Sequence, residues 1–296
     1  MQQRLVNIHG LVVDKETVRQ ILKIVDPAGV EARSKHRLKQ YRSKGPNYIW
    51  HVDGYDKLKP FGFCIHACID GYSRRILWLE VGVTNNDPDV TAAYFLDCIR
   101  SVGGVPRILR ADNGTENVNL AALQRFFRRE ALDAFAGEKS FMYGKSVSNQ
   151  RIEAWWGQLR HGCMDWWINY FKDLRDNGLY CDSDIFHTEC LRFCFMPILK
   201  EELNKVAILW NLQRIRRSTN PESPPGRPDM LYFMPEINNT RDYKTALDMD
   251  DVDVVGETLG LQGEHLNCSP DFISLANIIM RENGLLIDRK STRLNS

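Results

Sequence analysis

The chain has 296 residues, of which 43% are hydrophobic and 26% are charged, with 39 basic residues against 38 acidic ones. This composition is typical of a folded globular protein and excludes a collagen-like chain, a coiled-coil rod and a wholly disordered polypeptide. No segment approaches the roughly 18 uninterrupted apolar residues of a membrane span, and residues 1–20 lack the apolar run of a signal peptide. We therefore expect an intracellular protein that does not enter a membrane.

Charge is unevenly distributed along the chain. Residues 1–50 are rich in lysine and arginine, whereas acidic residues dominate beyond residue 240. The pattern predicts a helix over residues 13–24 with Asp14 as its N-cap, which would form half of a helix-turn-helix and lead into a basic linker. We predict a basic N-terminal segment over residues 1–45 that meets an acidic polymer such as nucleic acid first. A solvated charged face is the alternative.

The next part of the sequence predicts a mixed sheet with helices against it. Three β-rich runs with short turn-forming segments between them favour an antiparallel meander over residues 48–83. A helix over residues 88–101 separates this meander from a fourth strand over residues 107–112, and a helix between two strands implies a parallel crossover. Further helices are predicted around residues 120–127, 151–167 and 184–217.

Three acidic residues stand out by their positions. Asp53 lies near the end of the first predicted strand, and Asp112 ends the fourth. If these strands are parallel neighbours, both carboxylates emerge at their carboxyl ends, the usual location of a site in such sheets. Glu153, early on the helix over residues 151–167, can then reach across. For any one of the three alone, the alternative is an ordinary surface acid.

The chemistry of such a trio points to divalent metal ions. Like charges repel, so carboxylates gather cheaply only around a multivalent cation. Oxygen ligands with no accompanying Cys or His favour Mg²⁺ or Mn²⁺. Two such ions about 4 Å apart can activate an attacking oxygen and stabilise a leaving one in phosphoryl transfer. Asp53, Asp112 and Glu153 are therefore the predicted catalytic and metal-binding residues.

The helix that carries Glu153 also offers groups for DNA. Arg160 lies on the same face as Glu153, with Gln158 nearby, and together they would give the helix a cationic, hydrogen-bonding surface for a phosphate backbone. Lys145, in the loop just upstream, is expected to contact a DNA phosphate as well. A simple amphipathic helix is the alternative.

Three segments carry a resemblance to a known family. The runs WHVDGYD, LRADNGTEN and SNQRIEAWWGQLR resemble the signatures of the retroviral-type integrase core, an Asp-Asp-Glu transposase or integrase with a ribonuclease-H-like fold. The run WNLQRIR, which begins at Trp210, resembles the segment that closes this domain in transposon integrases. The resemblance spans about residues 48–235 and is nearest to the transposon-derived integrase-core proteins of animal genomes.

The resemblance implies an α/β fold, a ribonuclease-H-like five-stranded mixed sheet flanked by helices, with a helical N-terminal segment and a helical C-terminal extension. It implies a catalytic core over residues 46–235 and leaves residues 236–296 as an acidic, partly disordered tail. Asn113, after the second acid, and Asn149, before the glutamate, match polar positions of the family and are expected to bind DNA.

The implied activity is that of a metal-dependent nuclease and strand transferase. Such an enzyme cleaves DNA ends and joins the freed 3′-hydroxyl to target DNA, using two Mg²⁺ or Mn²⁺ ions. Its partners would be the element ends, the target duplex and further copies of the same chain, and its expected location is the nucleus. Two alternatives remain open at this point: a domesticated DNA-binding or scaffold protein without catalysis, and a ribonuclease that shares the fold.

Overall fold

The computed structural model describes residues 13–30, 42–144, 149–217, 223–260 and 267–285. The chain divides into two compact units, residues 1–41 and residues 42–296. The first contains the helix α1, Lys15–Val25, whose first turn is capped by the predicted residue, since the Asp14 carboxylate accepts hydrogen bonds from the Glu16 and Thr17 amides. The rest of the predicted helix-turn-helix extends outside the described residues.

The second unit is built on a five-stranded sheet. In spatial order its strands are β3, β2, β1, β5 and β6, where β2 is antiparallel to both β1 and β3, while β1, β5 and β6 run parallel. The sheet has the arrangement of the ribonuclease-H-like fold, so the predicted mixed sheet and antiparallel meander are confirmed. The strand bounds are β1 Ile49–Tyr55, β2 Cys64–Asp70, β3 Ile76–Gly82, β5 Ile108–Ala111 and β6 Phe141–Tyr143.

Two helices cover one face of this sheet. Helix α2, Pro88–Val102, begins after the cap Asp87 and ends at Gly103, whose φ of 73° is the left-handed conformation that glycine favours at a helix end. Helix α3, Val118–Phe127, lies beside it. Their apolar sides bury inward-facing residues of the sheet, among them Trp50 and Val52 of β1.

The opposite face is covered by a longer run of helices. Helix α4, Gln150–Leu159, passes through a π-helical turn, Arg160–Met164, into α5, Asp165–Asp176. Helix α6, Ile185–Leu212, crosses the same face. Their buried side chains form a second core with the odd-numbered face of β2, including Ile65, Ala67 and Ile69. With helices packed on both faces, only the ends of the strands are left for a site.

The remaining elements extend the body towards the C-terminus. Helix α7 spans Pro228–Phe233, and β7, Thr245–Ala246, pairs with β4, Gly104–Val105. Helix α8, Met249–Thr258, packs on α2 through the fully buried Val252. Helix α9, Pro270–Glu282, rests on α6, where the Phe272 ring contacts Phe186 and Phe193. Part of the segment predicted as an acidic tail is therefore packed structure, and the domain boundaries themselves stay a prediction.

Among the described residues, no helix is both long enough and apolar enough to span a membrane.

Candidate active site

The parallel pairing of β1 and β5 brings two of the predicted acids to the same level. Ile49 pairs with Ile108 and His51 with Arg110, an offset of 59 positions in each case. Asp53 and Asp112 are separated by the same 59 positions, so they lie side by side where the two strands end. The number of positions between Asp53 and Asp112 in the sequence thus equals the offset between paired residues of β1 and β5.

Asp53 is half-buried and held by one strong contact. Its Oδ2 accepts a hydrogen bond of 2.9 Å from the indole Nε1 of Trp156, on helix α4. Burial raises the pKa of Asp53 to about 7, with further increases from the nearby carboxylates of Glu153 and Asp112, against the indole hydrogen bond, which lowers it. Asp53 is therefore a carboxylate whose negative charge the protein does not compensate.

Asp112 directly follows β5 and is positioned by its own loop. Its Oδ1 accepts hydrogen bonds from the Gly114 amide at 3.3 Å and from the side-chain amide of Asn117 at 3.0 Å. The same Asn117 nitrogen reaches Glu116 Oε1 at 3.2 Å. Asn117 thus fixes the carboxylate of Asp112 from five positions further along the chain.

Glu153 lies in the first turn of α4, on its exposed side. Its influence on the pKa of Asp53 shows that the two carboxyl groups are within electrostatic reach of each other. The start of α4 is fixed by Asn149, whose carbonyl accepts from the Glu153 amide at 3.2 Å.

Asn149 also ties α4 to the central strand. Its side-chain Nδ2 donates to the carbonyl of Val52 at 2.8 Å, and its Oδ1 lies 2.6 Å from Nδ1 of His51. Burial lowers the pKa of His51 to about 3, so the imidazole is neutral and its Nδ1–H donates to the amide oxygen. Asn149 is only 2% exposed, so in this conformation its side-chain amide forms hydrogen bonds within the protein and is not available to contact DNA.

A small cavity of about 180 Å³ opens beside Asp53 and Asp112, and we call it the carboxylate cavity. Six of the side chains that line it were not among the predicted site residues. One is His66, which is buried on β2 and accepts a hydrogen bond from Trp78 at 3.0 Å; burial lowers its pKa to about 4. The full lining is Asp53, Gly54, Asp56, His66, Asn85, Asn86, Asp112, Glu116 and Asn117.

The missed residues differ in how visible they are in the sequence. Glu116 and Asn117 follow Asp112 within the run DNGTEN, so a polar loop after a strand end was a usable signal. Trp156 lies three positions after Glu153 and shares its side of the helix. A tryptophan in a helix is usually interpreted as a core residue, so its role as a hydrogen-bond donor to Asp53 was not predicted. His66 carried no signal, since its place in the cavity depends on the pairing of β1 with β2.

The predicted DNA-contacting residues fall into three groups. Asn113, Gln158 and Arg160 are exposed, and Arg160 Nε forms an ion pair with Asp165 at 2.9 Å. Asn149 is buried, as described above. Lys145 lies outside the described residues.

The trio is only partly assembled as a metal site. Within the described ranges, no group of three or more His, Cys, Asp or Glu side chains is arranged to hold a metal ion. Asp53 and Asp112 share the carboxylate cavity, while Glu153 affects Asp53 without lining that cavity. The donors that are present, carboxylate oxygens with an uncompensated charge among them, nevertheless fit a hard divalent cation in their chemistry.

Comparison with known proteins identifies the family. The family model described as "Integrase core domain" matches residues 40–246, more than half of the chain. The chain therefore belongs to the integrase core domain family, in agreement with the resemblance that the sequence carried. No curated protein sequence matches the chain.

Solved structures of retroviral integrases are also similar to this chain. The simian T-cell lymphotropic virus intasome, in complex with the PP2A regulatory subunit B56 gamma, is 14% identical at a TM-score of 0.43, and the match covers 70% of this chain and 62% of that one. The HTLV-2 integrase catalytic core domain in complex with magnesium, in its trimeric form, is 17% identical at a TM-score of 0.38, covering 64% and 99%. Its dimeric form is 20% identical at 0.34, covering 60% and 97%.

Proposed function

We propose that this chain is a DNA integrase or transposase, a polynucleotidyl transferase that cleaves DNA ends and joins the 3′-hydroxyl to target DNA. The observation that carries the proposal is the state of Asp53, whose pKa is raised to about 7 beside Asp112 and Glu153 at the carboxyl end of two parallel strands. A cluster of carboxylates that repel one another is stable without cost only when a cation joins it.

In this proposal Asp53, Asp112 and Glu153 hold two Mg²⁺ or Mn²⁺ ions. Such ions, when bound, supply Lewis acidity to the attacking and leaving oxygens of an in-line phosphoryl transfer. Asp53 and Asp112 would approach them from the ends of β1 and β5, and Glu153 from helix α4. No covalent intermediate on the protein is required.

The chain's own side chains orient this machinery. The Trp156 indole holds Oδ2 of Asp53 in place. The loop after β5 holds Asp112 Oδ1 in the same way. Asn149 fixes the start of α4 against β1, so that Glu153 projects from a defined position. The carboxylates of Asp53 and Asp112 are thus each held by hydrogen bonds, while Glu153 is positioned through the backbone of its helix turn.

DNA is the proposed substrate, as both element ends and target. Asn113, Gln158 and Arg160 are exposed near the acids and would contact the phosphate backbone, together with Lys145. Joining two ends to one target requires more than one active centre, so we propose a homo-oligomer as the active form. Because the proposed substrate is DNA of this kind, we propose that the protein acts in the nucleus.

A nicking and strand-transfer assay tests the proposal. Purified wild type, Asp53→Asn, Asp112→Asn and Glu153→Gln would be incubated with supercoiled plasmid and labelled oligonucleotides, with Mg²⁺, Mn²⁺ or EDTA. We expect metal-dependent products from the wild type and a loss of about a thousandfold or more in each variant. Asp173→Asn makes the same chemical change at an exposed acid on α5 and should leave the rate unchanged.

The assay has two outcomes that contradict the proposal. One is a wild-type chain that yields no product above the EDTA control on any DNA. The other is a Glu153→Gln variant as active as the wild type, which would remove Glu153 from the reaction. An RNA–DNA hybrid substrate run beside the duplex would show whether the chain is instead a ribonuclease.

A second candidate function is DNA binding without catalysis. The observation that favours it is the lack, within the described ranges, of a preassembled group of three metal ligands. A domesticated scaffold of this kind would bind DNA with an affinity that falls as salt rises, but would release no cleaved product. Binding and cleavage measured on one preparation separate the two candidates.

A further inference from the structure

A second, larger concavity lies at the other end of β1. It has a volume of about 760 Å³, and we call it the basic cleft. Trp50, near the start of β1, pairs with Asp70, and Tyr72 of the cleft follows Asp70 closely, so the cleft lies beyond the amino end of β1. Its described lining shares no residue with the carboxylate cavity and consists of Arg42, Ser43, Lys44, Tyr72, Pro224, Asn238, Asn239, Thr240, Arg241 and Tyr243.

The charge of the cleft is positive and uncompensated at two side chains. Neither Lys44 nor Arg241 has an ion-pair partner among the described residues, and no carboxylate is among the described lining. Each cation instead lies against an aromatic ring. The Lys44 Nζ is 5.7 Å from the centre of the Tyr48 ring, and the Arg241 guanidinium is 5.1 Å from that of Tyr243.

Two acids that adjoin lining residues along the chain are hydrogen-bonded inside the protein. Asp70 is fully buried, and its two oxygens accept hydrogen bonds from the backbone amides of Asn47, Tyr72 and Ser73. Asp242 accepts from the side chain of Asn47 and from a backbone amide. Both carboxylates are engaged in hydrogen bonds within the walls of the cleft. They do not neutralise Lys44 and Arg241.

Two further arginines lie behind the wall. The guanidinium groups of Arg74 and Arg151 both donate to Ser223 Oγ, at 3.2 and 2.7 Å, next to Pro224 of the lining. Burial, and then the proximity of Arg151, lower the pKa of Arg74 to about 10, so Arg74 stays charged at neutral pH. These two guanidinium groups lie beneath the wall, where Arg74 is within electrostatic reach of the buried Asp70 carboxylate.

The walls of the cleft are fixed to each other. The Tyr243 amide donates to the Pro46 carbonyl at 3.0 Å, and the Thr240 hydroxyl donates to the Lys44 carbonyl. The segment that precedes β1 is thereby clamped by residues almost 200 positions further along the chain. The cleft is consequently a preformed surface, which a ligand need not order.

We propose that the basic cleft binds the sugar-phosphate backbone of a DNA strand, outside the catalytic centre. Lys44 and Arg241 would neutralise phosphates, and the side chains of Asn238, Asn239 and Thr240 offer hydrogen bonds. This inference rests on the proposed function for the identity of the polymer.

Fluorescence anisotropy with a labelled oligonucleotide, as single strand and as duplex, tests the proposal. The full chain would carry Asp53→Asn in EDTA, so that no cleavage occurs. Adding Lys44→Glu and Arg241→Glu should weaken binding by roughly tenfold or more and flatten its dependence on salt concentration. The matched control, Lys172→Glu with Arg175→Glu on α5, makes the same change in charge at exposed positions away from the cleft and should change affinity by less than about twofold.

Each outcome decides the matter. Unchanged binding by the cleft variant overturns the proposal, and so does an equal loss in the control variant, because the effect would then be one of net charge. Binding of labelled poly-glutamate as tight as that of DNA would also overturn it, in favour of an acidic protein partner. If the glutamate variant fails to fold by circular dichroism, Lys44→Ala with Arg241→Ala replaces it, with the same direction expected.

The proposal and the proposed function fail separately. Metal-dependent cleavage by the wild type, together with full DNA binding by the cleft variant, would support the proposed enzymatic function and contradict DNA binding at the basic cleft. Weak DNA binding by the cleft variant, with no cleavage by any form of the chain, would support DNA binding at the basic cleft and favour the scaffold function.

Discussion

The two ends of strand β1 are polar for opposite reasons. At its carboxyl end, acids that repel one another are held in place by short hydrogen bonds from Trp156 and Asn117. At its amino end, Lys44 and Arg241 are exposed, and in the described part of the chain they have no acidic partner. The first arrangement stores unfavourable electrostatic energy in the fold, and the second leaves charge in water at little cost. Stability and function should therefore respond differently to changes at the two ends.

Helix α4 joins the two ends, and its anchor should give the largest effect on stability. We expect Asn149→Ala to lower the free energy of unfolding by about 3 kcal/mol, because it removes the buried hydrogen bonds that Asn149 makes with the His51 ring and the Val52 carbonyl. Urea unfolding of the metal-free protein measures this. Gln158→Ala, on the exposed side of the same helix, should change it by less than about 0.5 kcal/mol; equal effects would show that Asn149 is not an anchor.

The sites at the two ends of β1 also differ in how much of each could be predicted from the sequence. Asp53 lies near the carboxyl end of β1 and Asp112 directly follows β5, and their spacing of 59 positions is the register between the two strands, so local patterns were enough to bring them together. The walls of the basic cleft come from residues 42–44 and 238–243, whose contact depends on tertiary folding alone. No pattern along the chain links segments that far apart.

The acidic segment near the C-terminus shows the same limit. Residues beyond 236 are rich in acids, and the composition predicted a tail. Helix α8 nevertheless packs on α2, because Val252 lies on its one apolar side while acids such as Asp253 face outward, where Asp253 pairs with Arg100 at 2.8 Å. Composition averages over a helix, whereas packing needs only one face.

Removing the repulsion at the carboxyl end should stabilise the protein. The pKa of Asp53 rises from its usual 3.8 to about 7 in the folded state, so its contribution to stability is complete below about pH 4 and is lost as pH rises through 7. That difference corresponds to about 4 kcal/mol, and we expect about 2 kcal/mol because Asp53 is partly exposed. Above pH 7 and without metal, Asp53→Asn should therefore be more stable than the wild type by about that amount.

Unfolding both proteins in denaturant at a series of pH values in EDTA measures the difference. Other buried groups, such as Asp70 and His51, titrate in both proteins and cancel. A difference that does not change with pH would contradict the electrostatic origin, and a less stable Asp53→Asn would show that the carboxylate supports the fold.

The indole of Trp156 should matter for rate more than for stability. Its hydrogen bond lowers the pKa of Asp53, so Trp156→Phe should raise that pKa and move the pH midpoint of metal-dependent cleavage upward. We expect a rate about tenfold lower at neutral pH, equivalent to about 1.4 kcal/mol, with partial recovery at higher pH. Trp166→Phe, at an exposed indole on α5, is the control; a variant with a lower rate and an unmoved midpoint would assign Trp156 to packing alone.

The smallest effect on stability belongs to the amino end. Lys44 and Arg241 are exposed and bury no charge, so Lys44→Ala with Arg241→Ala should change the free energy of unfolding by less than about 0.5 kcal/mol. Urea unfolding beside the DNA-binding measurement makes the contrast with Asp53 direct. Asp53→Asn should gain stability and lose cleavage, whereas the cleft variant should keep its stability and lose affinity. A cleft variant that unfolds as easily as Asn149→Ala would mean that these cations hold the walls together, and the two ends of β1 would no longer differ in kind.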